Sequence, residues 1–200
     1  MTKEIALKLI DEFAARSGGG RFTKLSREKI ASGLRARVQN PSMINQASGG
    51  VCGPASVVYS LALNRPVDYV AAVTGLFDYG AATIKTWQLK PDRELLDKPC
   101  PPPNPKYPPF EEVDWIILAS IRDSENWFFD YHSDQSDSGG STMSELKDWM
   151  TKAGFTDIQS DDGGIFYTTM ADKQRMIRKA LDLFNKGYHV IIAINASIMT

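Results

Sequence analysis

The stretch "LDKPCPPPNPKYPPF", residues 96 to 110, holds seven of the chain's 11 prolines. Proline fixes φ and has no backbone N–H to donate, so the stretch can be neither a regular helix nor an inner strand. It must run extended, in the polyproline manner, as a surface excursion or as a strap across the domain. A ligand for an aromatic-lined peptide groove is the functional reading. A stiff connection is the simpler reading and the preferred one.

Before this stretch the apolar residues recur at helical spacing. Residues 3 to 16 carry Ile5, Leu9, Ile10 and Phe13 on one face, and "SGGGR" ends that helix. A basic amphipathic helix is expected over 23 to 40, with Leu25, Ile30, Leu34 and Val38 inward and its Arg and Lys residues on a solvated face. Pro41 stops it. "PASVVYSLAL" (54 to 63) reads as a buried helix, with Pro54 in its first turn, where a missing N–H costs nothing. Residues 65 to 80 give another helix, with Val70, Val73, Leu76 and Phe77 inward and Gly80 at its end.

After the prolines, "EEVDWIILASIRDSEN" (111 to 126) is helical, with Trp115, Ile116, Leu118, Ala119 and Ile121 inward. "DYHSDQSDSGGST" (130 to 142) is a polar loop; Asp130, Asp134, Asp137 and His132 lack the spacing of a calcium loop and are expected to be solvated. Thr142 or Ser141 ahead of Glu145 is a capping signature for a helix over 141 to 155, with Leu146, Trp149 and Met150 inward and Gly154 ending it. "TDIQSDDGGIFYTT" (156 to 169) reads as strand, turn at Asp161 to Gly164, and strand. Residues 172 to 187 form a helix with Met176, Ile177, Ala180, Leu181 and Phe184 inward and Gly187 as C-cap. "YHVIIAINASIM" (188 to 199) is expected to be a central strand, buried on both faces. Helices first and strands late make the fold class α+β.

With 200 residues, 42% of them hydrophobic, the chain can build one core, or a core and a small appendage. Its net charge of -1 creates no field that would gather nucleic acid or an acidic membrane surface, so neither is an expected partner. No apolar run is of transmembrane length, and the first segment is too charged for a cleavable signal peptide. Two cysteines, Cys52 and Cys100, are too few for a disulfide framework and lack metal-ligand spacing; His132 and His189 are isolated. No metal and no cofactor is expected, and the thiols are expected to be free in a reducing compartment.

Cys52 is the residue with chemistry to offer. A thiol is a poor nucleophile until it becomes a thiolate. The unpaired N–H groups and macrodipole of a helix N-terminus favour such an anion. Cys52 precedes Gly-Pro-Ala-Ser and an apolar helix, so its sulfur is expected at that helix's positive end. Gly50 and Gly53 leave room for a substrate chain. Six residues upstream, the carboxamide of Gln46 can join the Cys52 backbone N–H in holding an oxyanion. The competing reading is packing, since free cysteines are among the most buried residues.

"NQ" at 45 to 46 and "CGPAS" at 52 to 56 resemble the papain-like cysteine peptidases, and more closely their C39-like branch of bacterial peptidases and toxins. With "VDWIILASIRDSEN", "GGSTMSELKDWMTKAGF" and "KGYHVIIAINASIM", residues 40 to 200 look like the papain-like effectors that bacteria deliver into rival cells, for example by type VI secretion. The resemblance implies a papain-like fold with a helical lobe and an antiparallel sheet lobe. It divides the chain into an N-terminal helical segment, 1 to 40, and a peptidase domain, 41 to 200. Cys52 is implied as the nucleophile and Gln46 as the oxyanion donor. The substrate would be a protein or peptide in the target-cell cytoplasm, cut after paired glycines, and the producing cell, whose cytoplasm holds the effector before export, would need a cognate immunity protein. Two alternatives stay open: a glutamine deamidase or acyl transferase on the same scaffold, and an inactive protein-binding pseudo-peptidase.

The family's base, a histidine oriented by Asp or Asn, does not carry over cleanly. In C39-like chains it lies on a strand after the one resembled by 187 to 192, which places it beyond Thr200, with low turnover expected without it. Otherwise His189 serves. Asn195 would share its face but lie about 20 Å along the strand, too far to orient the ring. A structural hydrogen bond is the plainer role for His189, and His132 is the weaker candidate.

Overall fold

The apolar positions of the first 80 residues form four helices: α1 (Thr2–Ala14), α2 (Arg27–Gln39), α3 (Cys52–Asn64) and α4 (Pro66–Tyr79). They belong to a computed structural model that describes residues 2–47, 49–125, 141–160 and 170–192. The chain divides into two compact units, Met1–Ile158 and Gln159–Thr200.

In the first unit α1 packs on α2 and α4. It buries Ala6, Ile10 and Phe13, while Ile5 stays 48% exposed. The buried face is thus set by the i, i+4, i+7 series from Ala6, and Ile5 lies about 100° off that line. Ser26 caps α2 by accepting the Lys29 N–H. α2 buries Ile30, Leu34 and Val38 as expected, and with them Arg37, which is 1% exposed. The expected solvated basic face therefore fails at Arg37, and the reason lies on another helix. α4 turns Val70, Val73, Leu76 and Phe77 inward and ends at Gly80, whose φ of +70° suits glycine.

The hairpin falls between α4 and the proline-rich stretch, a region without a strong sequence signal. β1 (Ala82–Ile84) and β2 (Trp87–Leu89) pair antiparallel, Ala82 opposite Leu89 and Ile84 opposite Trp87. The short α5 (Arg93–Leu96) follows, capped by Asp92. From Pro99 to Pro109 the chain forms no helix or strand and is mostly exposed, as its prolines require. Phe110 is buried and meets Trp115 edge-on, ring centroids 5.5 Å apart.

α6 (Glu112–Glu125) is buried on every side from Val113 to Arg122. It packs against α2, α3 and α4 and forms the centre of the core. Each fully buried Ile or Leu contributes about 1.5–3 kcal/mol. α7 (Met143–Lys152) starts with the expected capping box: Thr142 accepts the Glu145 N–H, and the Glu145 side chain accepts the Thr142 N–H. Its Trp149 stacks on Trp87 at 6.1 Å, and its last carbonyls take bonds from the Thr86 N–H and the Arg65 guanidinium.

The second unit contains α8 (Met170–Asn185). Gly187 follows it at φ +88°. The expectation that Ile177, Leu181 and Phe184 face inward is not met: they are 56%, 55% and 65% exposed, and α8 has no buried residue. Met176 and Ala180 are half-buried. Periodicity names the apolar face of a helix but supplies no surface to cover it. Residues 156–160 and 188–192, expected as strands, run without strand pairing. The remainder of those two segments lies outside the described residues, as does the loop with Asp130, His132, Asp134 and Asp137. The described chain is thus mixed helix and sheet, mostly helical, with the sheet early rather than late. Among the described residues no helix is long and apolar enough to cross a membrane.

Candidate nucleophile site at the start of α3

Cys52 is the first residue of α3 and its side chain is exposed. Val51 before it is fully buried and anchors the turn. Val51 is also the N-cap residue, and among the described residues no side chain makes a cap bond there. Pro54 has no N–H, so the first turn presents amides only from Cys52 and Gly53 before Ala55 bonds back to Val51 O at 2.9 Å. Ser56 Oγ donates to the Cys52 carbonyl at 2.9 Å. Packing does not claim this thiol; it stands at the surface where a helix presents its positive end.

Gly53 has no room for a side chain. A Cβ there would collide with Ser141 and come within 3.1 Å of Trp149 Cζ3. The residue before the α7 cap therefore lies directly on the start of α3, and the Ser141 hydroxyl is enclosed with no hydrogen-bond partner among the described residues. From sequence, Ser141 is a capping candidate for α7 and nothing more.

The loop between α2 and α3 carries Gln46. It begins with a single 3-10 turn, Pro41–Met43, capped by Asn40. The Asn45 N–H donates to Asp114 Oδ2 at 3.2 Å, and Asn45 Oδ1 accepts the Ala47 N–H at 2.7 Å. Gln46 O accepts the Gly49 N–H at 2.8 Å. The Gln46 side chain is half-buried, its Oε1 enclosed and without a partner among the described residues. Ala47 at φ +47° and Gly50 at φ +62° make the two sharp bends that lead into Cys52.

Beneath the loop lies a charge pair that sequence reasoning missed. Asp114 on α6 is fully buried. Arg37 Nε reaches its Oδ1 at 3.0 Å and Arg37 Nη2 its Oδ2 at 2.6 Å; Arg37 Nη1 also reaches Glu111 at 3.0 Å. Burial works against the Arg37 charge, but the bonds and fields of Asp114 and Glu111 outweigh it and raise its pKa. Burial also pushes Asp114 up, against the pull of Arg37 and the Asn45 N–H. The Tyr69 hydroxyl, buried with no hydrogen-bond partner among the described residues, is pushed up first by burial and then by the Asp114 charge. The signal was present: Asp114 precedes the unbroken run Trp-Ile-Ile-Leu-Ala, and a helix apolar on all sides buries whatever it carries.

The other sequence candidates lie elsewhere. His189 belongs to the second unit, Gln159–Thr200, whereas Cys52 and Gln46 belong to the first. His189 follows α8 with its residue surface largely open, and desolvation of its ring lowers its pKa. Asn195 and His132 lie outside the described residues. Among the described residues no group of His, Cys, Asp and Glu is placed to hold a metal ion. No protein-family model, no curated protein and no solved structure matches this chain.

Proposed function

We propose that the chain is a cysteine-nucleophile hydrolase of the papain-like kind, acting on polypeptide, with Cys52 as nucleophile. The exposure of Cys52 at the first residue of α3 carries this reading. The helical part of the first unit fits the helical lobe implied by "NQ" and "CGPAS", and Gln46 sits on the loop that leads into the nucleophile's helix.

The chemistry follows from the groups present. The Cys52 thiolate attacks the carbonyl carbon of a substrate amide; the S–C bond forms and the carbonyl π pair moves onto oxygen. The Cys52 N–H and the Gln46 carboxamide N–H stabilise that oxyanion. The oxyanion collapses, the C–N bond breaks, and the amine leaves with a proton from the general acid. Water then attacks the thioester, releasing a carboxylate and returning the thiol. The proton carrier is a histidine by family resemblance. The substrate implied by the resemblance is a target-cell protein with a glycine-rich cleavage site.

Intact-mass analysis of a target-cell lysate treated with the wild-type chain or with Cys52→Ser tests the reading. The expected result is new fragment pairs with the wild type alone. A gain of about one dalton on uncut proteins would instead identify side-chain deamidation by the same thiol. Identical lysates from the two proteins would leave Cys52 without a catalytic role.

A further inference from the structure

A buried ion pair is weak evidence of stabilisation, because removing two charges from water costs as much as their attraction returns. The Arg37–Asp114 pair must therefore be explained by what its geometry holds in place. Asp114 spends one further lone pair on the Asn45 N–H, 3.2 Å away and 69 residues distant in the chain. Asn45 is the residue before Gln46. Its own side chain then closes the turn across Gln46 by accepting the Ala47 N–H at 2.7 Å. That turn places Ala47 at φ +47°, a conformation that a non-glycine residue adopts only when its surroundings impose it. On the far side, Gln46 O accepts the Gly49 N–H. The main chain of Gln46 is thus fixed before and after the residue, and the bond before it leads back to Asp114 on α6 and through it to Arg37 on α2.

We propose that the buried Arg37–Asp114 pair, acting through Asn45, positions the Gln46 carboxamide beside the start of α3. Arg37, Asp114 and Asn45 are positioning residues; none of them touches the reacting atoms. The assignment rests on Gln46 being the oxyanion donor, and it adds to that reading the device that sets the donor's place. A donor aimed at developing charge contributes to rate only if it is held there before the charge appears.

Three variants test this: Asn45→Ala, Asn45→Ser, and the double replacement Arg37→Met with Asp114→Leu. Asn45 lies in a surface loop, so its variants fold even if the buried replacement does not. The readouts are the Gln46 side-chain amide signals in a 1H–15N spectrum, assigned with Gln46→Ala, and the thermal midpoint. In Asn45→Ala the Gln46 signals are expected to move to the positions of a free glutamine, with the midpoint shifted by no more than a few degrees. Asn45→Ser restores part of the dispersion, because its hydroxyl makes the same turn more weakly. The double replacement folds and reproduces the Asn45→Ala spectrum. On a cleaved peptide, Asn45→Ala lowers kcat about tenfold and leaves KM unchanged. Asn45→Ala breaks the side-chain turn and the double replacement removes the acceptor of the Asn45 N–H, so Gln46 signals that stay at wild-type positions in Asn45→Ala, or in the folded double replacement, overturn the proposal. Because those signals are read without substrate, they judge the positioning device separately from the hydrolase reading, which Cys52→Ser judges.

Discussion

The chain's two cysteines occupy opposite kinds of site. Cys52 opens α3, exposed, beside backbone amides that the N-cap residue Val51 does not cap. Cys100 lies in the proline-rich stretch, half-buried against the core, and its Sγ–H donates to the Phe110 carbonyl at 3.1 Å. Burial, then the carboxylates of Glu112 and Asp114, push the Cys100 thiol up to about 12. The difference teaches that what surrounds a sulfur decides its chemistry. A helix start presents donors to an anion, whereas the Cys100 Sγ–H is directed at a carbonyl, which favours the protonated form.

The largest expected effect that would break this contrast is on turnover. Cys52→Ser should lower cleavage by about 10⁴-fold or more, while Cys100→Ser leaves it unchanged, measured on any substrate found in the lysate screen. Equal losses from the two variants would refute the assignment of the nucleophile. Gln46→Ala should lower kcat by about 10²-fold with KM unchanged, the mark of an interaction made only in the transition state. Iodoacetamide labelling at pH 7, read by peptide mass spectrometry, should modify Cys52 about fiftyfold faster than Cys100, the thiolate deficit of Cys100 being partly offset by its greater intrinsic reactivity.

The pH dependence sharpens the same comparison. The folded value of Cys100 lies above the ordinary 9.0, so the folded chain holds its proton more tightly than the unfolded chain. Its contribution to stability is whole below about pH 9 and is lost as pH rises towards about 12. Urea midpoints between pH 8 and 11 should fall less steeply for Cys100→Ala than for the wild type. The smallest effect is expected from Phe110→Ala, which removes a buried ring beside the sulfur and should speed Cys100 labelling about threefold.

Much of the first unit was legible in the sequence because its signals are local. The 3.6-residue periodicity of α2 and α4, the capping box at Thr142 and Glu145, and glycine at position 80 each depend on a few neighbouring residues. So does the placement of Cys52 at a helix start, which Pro54 and the glycines mark. The errors have separate physical causes. Sequence alone puts Arg37 on a solvated face and gives Asp114 no partner, because neither carries a sign of the other, 77 residues away. The hairpin at 82–89 has strands of three residues, too short for an alternating pattern to stand out. α8 has a clear apolar stripe, and the stripe is exposed.

By itself, then, the sequence determined where the long helices of the first unit run, that the proline-rich stretch is extended, and which sulfur heads a helix, since backbone and neighbour sterics act within a turn or two. Tertiary structure alone decided that Arg37 is buried on Asp114, that Asp114 reaches Asn45, and that Ser141 lies on Gly53. Those contacts join residues far apart in the chain, and their energies depend on desolvation and geometry that exist only once the helices have packed.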